Sequence, residues 1–332
     1  MQWRHRNCFN NVTPKTSNVL LQLMRRTNEL ESTKEQPRIL GDYEVHVAWE
    51  GFASIRQISS GEIMHSRTPP MEEARQLYVE QSNLAKRLKV SPTDDTRKPL
   101  VIWDVGLGAA ANVMAAIHCY EETAQRKSVR PLKIISFEND LDSLRLALRH
   151  SNNFFPYLCH DGPDALLTKG AWQSQKHPDL SWVLLHGNFL ETISNAPARP
   201  DLIYYDMFST KTSGEQWTLA AFRKLFEACE GHGVELYTYT CSTANRAGLL
   251  AAGFYVARGR NAGEKLETTI ALTPAACPTP SSCRHELLTR DWLGKWNRSR
   301  AKFPSEIPVE QHVSFERKIR MHPQFRLDEH NL

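Results

Sequence analysis

Apolar residues follow two rhythms along this chain. From Pro99 onward, short runs in which nearly every residue is apolar alternate with longer stretches whose apolar positions recur every three or four residues. The short runs predict strands at Leu100–Val105, Leu132–Phe137, Trp182–His186, Leu202–Met207 and Val234–Thr240. The longer stretches predict helices near 112–126, 140–150, 161–173, 215–229 and 243–252, the last closing at Gly253. Strands that are apolar on both sides are buried on both sides, which implies a parallel sheet sandwiched between helices. The series ends differently. Phe254–Gly259 and Glu267–Leu272 are strand-like, but the residues between them are too few for a crossover helix, so these two strands pair antiparallel.

Upstream, Tyr43–Ile58 is rich in β-branched and aromatic residues broken by Gly51, the pattern of a hairpin, and Pro69–Leu88 carries helical spacing. Downstream, Pro274–Ser282 has linker composition before a stretch bearing Trp292, Trp296, Phe303, Phe315 and Phe325, aromatics that require burial. The expected division is a basic tail at 1–42, a small cap at 43–98, the main α/β domain at 99–273, and a linker with C-terminal extension at 274–332. Residues 1–28 carry Arg4, Arg6, Lys15, Arg25 and Arg26 and no acid. That composition suits an organelle transit peptide, a loose basic tail, or a chain whose true start is Met24.

Composition narrows the function classes. A 41% hydrophobic, 23% charged chain can bury a core and is not a disordered one. The formal net charge of +4 is too small to announce a nucleic-acid binder by itself, so any basic surface is local. Residues 1–34 contain six basic and two acidic side chains and residues 284–332 ten and seven, so the positive balance sits at the ends. The seven cysteines form no C-x-x-C pair, which argues against a zinc ribbon or disulfide framework and for a reducing, cytoplasmic setting. No apolar stretch reaches the roughly 18 residues of a membrane span.

Candidate chemistry gathers at predicted strand ends. Gly106 and Gly108 form a G-x-G turn between strand and helix, followed by Asn112. Such glycines let backbone approach a ligand, or serve the turn alone. The third glycine of a dinucleotide fingerprint is Ala110 here, which lowers the case for a pyrophosphate. Asp104 either orients this loop or meets the cationic part of a ligand. Glu138 stands where a carboxylate accepts ribose hydroxyls, or caps a helix beside Asp140; together with the turn, adenosine binding explains it better. Asn188 either meets an adenine edge or caps the short helix after it. Asp206 ends the fourth strand, at the edge where open α/β sheets bind ligands, and can hold an amine and help remove its proton. Around it in sequence lie Lys211, Trp217 and Lys265. Trp217 stacks on a base or fills the core; Lys211 and Lys265 contact phosphate or solvent. A doubly wound sheet closed by an antiparallel hairpin is, by fold analogy, the shape of class I S-adenosylmethionine-dependent methyltransferases, with a Rossmann-like core.

Several short motifs in register narrow this further. Gly61-Glu-Ile-Met-His65-Ser66, Glu72-Glu-Ala-Arg-Gln-Leu-Tyr78, Tyr205-Asp206-Met-Phe-Ser209, Gln216-Trp217-Thr218 and Gly263-Glu-Lys-Leu-Glu-Thr-Thr269 resemble the signatures of the MnmC-type tRNA wobble-uridine methyltransferases, over about residues 43–272. The resemblance implies methyl transfer from S-adenosylmethionine to the amine of 5-aminomethyl(-2-thio)uridine in the tRNA anticodon region. It implies no metal and no membrane. His65, Ser66 and Tyr78 would cover the cofactor from the cap; Asp104, Gly106, Gly108, Asn112, Glu138 and Asn188 would bind it; Asp206 would be catalytic; Lys211, Trp217 and Lys265 would meet substrate. About 60 residues follow the hairpin, too few for the flavin oxidoreductase domain of the two-domain enzymes, so a standalone form is expected.

The chain departs from the family pattern at Asp104, Leu107, Ala109 and Ala110, at Asn188 where an acid is expected, and at Met207 where proline is expected. These departures keep two alternatives open. One is a catalytically silent protein that retains the fold as a tRNA-binding or scaffold module; the other is an aminopropyltransferase, which shares the fold.

Overall fold

The computed structural model describes residues 37–90, 98–260, 267–279 and 283–326. Chain contacts separate Met1–Arg38 from Ile39–Leu332, and the strands and helices of the described residues all lie in the latter unit. Residues 1–36 of the expected tail and Lys265, both singled out in the sequence, lie outside the described residues. The end of the tail's expected span, to residue 42, contains a short strand at Ile39–Leu40.

The unit opens with β1 (Ile39–Leu40), β2 (Tyr43–Val47) and β3 (Ala53–Gln57), an antiparallel sheet of three short strands. The predicted hairpin is its β2–β3 pair; β1 is too short to show in the sequence pattern. The single helix expected over Pro69–Leu88 is instead α1 (Pro70–Ala74), a π-helical stretch Arg75–Glu80, and α2 (Leu84–Leu88). The break falls at Asn83, whose φ of +53° ends any continuous helix. Just before it, Gln81 turns to the tertiary structure, its side-chain oxygen accepting from the Arg260 amide at 2.8 Å.

The main sheet follows in the predicted alternation: β4 (Leu100–Val105), α3 (Ala111–Ala124), β5 (Leu132–Glu138), α4 (Asp142–Arg149), α5 (Asp161–Lys169), β6 (Ala171–Gln173), β7 (Leu180–His186), α6 (Phe189–Thr192), β8 (Leu202–Tyr205), α7 (Leu219–Ala228), β9 (Glu235–Thr238), α8 (Thr243–Ala252), β10 (Tyr255–Gly259) and β11 (Thr268–Leu272). Its order is β10-β11-β9-β8-β4-β5-β7-β6. The five central strands run parallel, and β10 and β11 pair antiparallel as expected, β11 inserting beside β9. The helix predicted over 161–173 stops at Lys169, where Gly170 takes φ +71°, and residues 171–173 form the antiparallel edge strand β6.

Side chains alternate along each strand, and the two faces feed two cores. Leu100 and Ile102 of β4 pack with α3, α4 and the N-terminal cap. Val101, Trp103 and Val105 pack on the other face with α7, α8 and the C-terminal aromatics. Those aromatics come from α9 (Arg290–Arg298), α10 (His312–Arg320) and the turn at Phe325. Trp292, Trp296, Phe315 and Phe325 are all buried there. Gln324 closes the edge beside β10 by giving its amide to the carbonyls of Val256 and Leu288, both at 2.8 Å, and accepting from Val256 N. Among the described residues no helix is long and apolar enough to cross a membrane.

Candidate functional site

The carboxyl ends of β4, β5 and β8 open into a cleft of about 520 Å³, whose other wall is the cap segment 61–68. Gly106 follows β4 with φ +92°. A Cβ there would meet the Asp206 carbonyl oxygen at 2.8 Å and the Met207 sulfur at 3.0 Å, so only glycine lets β4 and β8 end side by side. Gly108 is likewise at positive φ, with the Met64 sulfur 3.1 Å from where its Cβ would lie.

Asp206 lies on the cleft floor. Its backbone N–H donates to Val105 O at 2.9 Å, which continues the β8–β4 ladder, and Asn112 Nδ2 donates to its carboxylate at 2.8 Å. Helix α3 thus positions the acid at the end of β8, across 94 residues of sequence. Burial among protein groups raises the Asp206 pKa above the ordinary carboxylate range; the nearby His65, Asn112 and Tyr78 oppose that rise without cancelling it. Tyr78 is fully enclosed beside it, and its phenol is held well above its usual value by burial and by the Asp206 charge.

Glu138 ends β5 and uses both carboxylate oxygens. One accepts Gly108 N at 3.1 Å; the other accepts the amides of Asn139 at 2.9 Å and Asp140 at 3.1 Å. It therefore braces the glycine turn while facing the cleft. Burial raises its pKa against these backbone donors. On the cap wall, His65 Nδ1 meets Glu73 Oε2 at 3.1 Å, and its backbone N–H donates to Ser54 Oγ.

Of the sequence-predicted residues, the structure brings His65, Ser66, Gly106, Gly108, Asn112, Glu138 and Asp206 to one cleft, with Tyr78 behind Asp206. Four others need correction. Asp104 is buried behind the turn, accepting from Ser136 Oγ at 2.7 Å, and does not line the cleft; burial drives its pKa well up. Asn188 caps α6, its oxygen accepting Leu190 N at 2.9 Å while its amide donates to Glu215, so the capping reading holds. Trp217 is core: its ring packs edge-on against Tyr205 and Tyr239, and its indole N–H donates to Phe208 O at 2.7 Å. Lys211 is exposed and outside the lining.

Sequence reasoning missed Glu62. It lies inside the Gly61–Ser66 run, and its carboxylate accepts Ser209 N at 2.8 Å, Ser209 Oγ at 2.9 Å and Thr212 Oγ1 at 2.7 Å, tying the cap to the loop after β8. It also missed Glu73 and Asp140, and with them the character of the cleft. Among its lining residues Glu62, Glu73, Glu138, Asp140 and Asp206 are acids, against Arg67 and a histidine. Such a lining repels a pyrophosphate and suits a ligand carrying positive charge, such as a sulfonium or an ammonium. The buried Oδ1 of Asn112 has no hydrogen-bond partner among the described residues, a further acceptor beside Asp206. The residues present therefore fit a cationic sulfonium nucleoside.

Comparison with known proteins agrees with this chemistry. Residues 165–274 match the model of an S-adenosyl-L-methionine-dependent methyltransferase family. The chain is 27% identical over 229 residues to the "tRNA 5-methylaminomethyl-2-thiouridine biosynthesis bifunctional protein MnmC" of Ectopseudomonas mendocina, covering 66% of this chain and 33% of that one. It is 24% identical to the protein of the same name from Chromobacterium violaceum, covering 62% and 31%. The chain thus spans about a third of the length of the curated relatives it matches. Among solved structures it is similar to MNMC2 from Aquifex aeolicus, with a TM-score of 0.57 at 19% identity, covering 92% of this chain and 98% of that one. The family resemblance read from the motifs is borne out, and the fold is that of the class I S-adenosylmethionine-dependent methyltransferases.

Proposed function

We propose that this relative of the MnmC methyltransferase region moves a methyl group from S-adenosylmethionine to the primary amine of 5-aminomethyl(-2-thio)uridine at the wobble position of tRNA, in the cytoplasm. The observation that carries this reading is the acidic cleft with Asp206 at its floor, where β4 and β8 end together. When bound, S-adenosylmethionine supplies an electrophilic methyl carbon on a sulfonium that leaves as a neutral thioether.

The roles of the chain's own residues follow from their places. Gly106 and Gly108 let backbone approach the methionine side, and Glu138 accepts a ribose hydroxyl with the lone pair its three backbone donors leave free. His65 and Ser66 belong to the cap wall that excludes water. Asp206 attracts the substrate ammonium, accepts the proton that frees the nitrogen lone pair, and passes it to solvent through the cleft. A carboxyl whose pKa lies above the ordinary value is better matched to that transfer near neutrality. Catalysis otherwise rests on alignment of nitrogen, methyl carbon and sulfur.

The test is a nucleoside digest, analysed by mass, of aminomethyluridine-bearing tRNA incubated with the full chain and S-adenosylmethionine. The methylaminomethyl nucleoside is expected. Asp206→Asn is expected to lower kcat by about 10²- to 10⁴-fold while still binding S-adenosylmethionine in a calorimeter. In the wild type the acid limb of kcat/KM should lie above the usual aspartate value of about 3.9, and Asp206→Asn should abolish that limb. No cofactor binding at millimolar concentration, or aminopropylated polyamines in place of a methylated nucleoside, overturns the reading.

A further inference from the structure

A second groove, of about 540 Å³, lies where α2 meets the β10–β11 hairpin and the segment after Cys283, and its charge is the opposite of the cleft's. Lys86, Arg87, Arg258, Arg260, Arg284 and His285 line it, against one acid, Glu286. Beneath it, Glu235 at the start of β9 organises the floor. The Glu235 carboxylate takes Arg87 on one oxygen at 2.6 Å, and on the other Arg284 at 2.6 Å, His285 at 3.0 Å and the Tyr237 hydroxyl at 2.5 Å. One carboxylate thus fixes three basic side chains drawn from two distant segments. Lys86, Arg258 and Arg260 remain exposed around this floor.

Resting on the reading of the cleft given above, we infer that this groove seats the ribose-phosphate backbone of the RNA whose base enters the cleft. Strand β9 links the two sites: Glu235 starts it beneath the groove, and Tyr239, just past its end, lines the cleft. Four residues of strand span ~13 Å. That is about four nucleotides at ~3.4 Å rise each, a separation an anticodon arm bridges. The opposed charges divide the labour, since an acidic cleft suited to cations repels phosphate and the affinity for a polyanion must come from elsewhere on the surface. The long exposed side chains of Lys86 and Arg260 suit phosphate oxygens without reading sequence, above a floor in which Arg87 and Arg284 are held by Glu235.

The experiment measures tRNA binding by the full chain across a potassium chloride series. Lys86→Ala/Arg260→Ala, at two exposed positions, is expected to flatten the log–log salt slope by roughly 1.4 to 1.8, at about 0.7 to 0.9 for each phosphate no longer neutralised. Its tRNA KM should rise about tenfold, with S-adenosylmethionine affinity reporting an intact cleft. Glu286→Gln should act oppositely and tighten tRNA binding. An unchanged slope and KM in a protein that methylates tRNA overturns the inference, as does tripolyphosphate bound as tightly as tRNA at equal phosphate. Loss of binding to anionic vesicles, but not to tRNA, in the double variant also overturns it. A wild type that binds tRNA through this groove but methylates none defeats the proposed reaction and leaves the groove standing; one that binds no tRNA defeats the groove.

Discussion

Ala110, the residue just before α3, takes φ +62°, in the left-handed region, where the family pattern has glycine. In the sequence this alanine is a loss of freedom, and the structure shows where the freedom is missed. An L-residue there costs roughly 1–2 kcal/mol. Restoring glycine relieves that strain but returns about 0.4–1 kcal/mol of freedom to the unfolded chain and removes a buried methyl of about 0.8 kcal/mol. Ala110→Gly is therefore expected to leave Tm nearly unchanged, whereas alanine to glycine inside an ordinary helix costs about 1 kcal/mol. A thermal melt of the variant checks this. Glu138 shows how a residue's role stays double until distances decide it, because the carboxylate serves the backbone of its own turn and faces the cleft at once.

Elements were more legible than residues. The strands β4, β5, β8, β10 and β11 fall within a residue or two of their expected places, and for β4, β5 and β8 the reason is that strands buried on both faces must be largely apolar. Expectation failed where a tertiary partner overrides a local pattern. Residues 171–173 continue a helical rhythm but pair with β7 once Gly170 has turned the chain. The Pro69–Leu88 pattern breaks where Gln81 reaches the hairpin. Glu62 belongs to this scale too, since it joins the cap to the loop after β8 by accepting three hydrogen bonds. Glu62→Ala should destabilise the fold by roughly 1–3 kcal/mol. It should also speed proteolytic cutting within 207–213 and raise KM for the methyl acceptor more than for S-adenosylmethionine. Limited proteolysis with mass mapping and a KM comparison read these effects.

At the scale of the molecule, Glu235 ties the cap, the sheet and the segment after Cys283 together. Burial by itself would raise its pKa, but His285, Arg87 and Tyr237 outweigh burial and pull it far below the usual carboxylate range. A carboxyl depressed in the folded state contributes stability above its unfolded pKa of about 4.3, and that contribution is lost as pH falls from there toward the folded value. Urea midpoints should therefore drop between pH 5 and pH 3 in the wild type, and drop less in Glu235→Gln. At pH 7 that variant should already be less stable by roughly 1–3 kcal/mol, because the partly exposed Arg87 and Arg284 lose the carboxylate that fixes them.

The sequence by itself determined the alternation of strands and helices, the antiparallel finish and the acid at the end of β8, since each depends on periodicity or on the residue at a strand end. Only the tertiary structure decided which charges share a cavity. Five acids from the cap, β5 and β8 face one cleft, and cations from α2, β10 and the segment after Cys283 face one groove. In sequence these side chains are scattered between residues 62 and 285, and the overall charge is nearly balanced. Coulombic fields depend on distance in space, and the folded chain alone sets those distances.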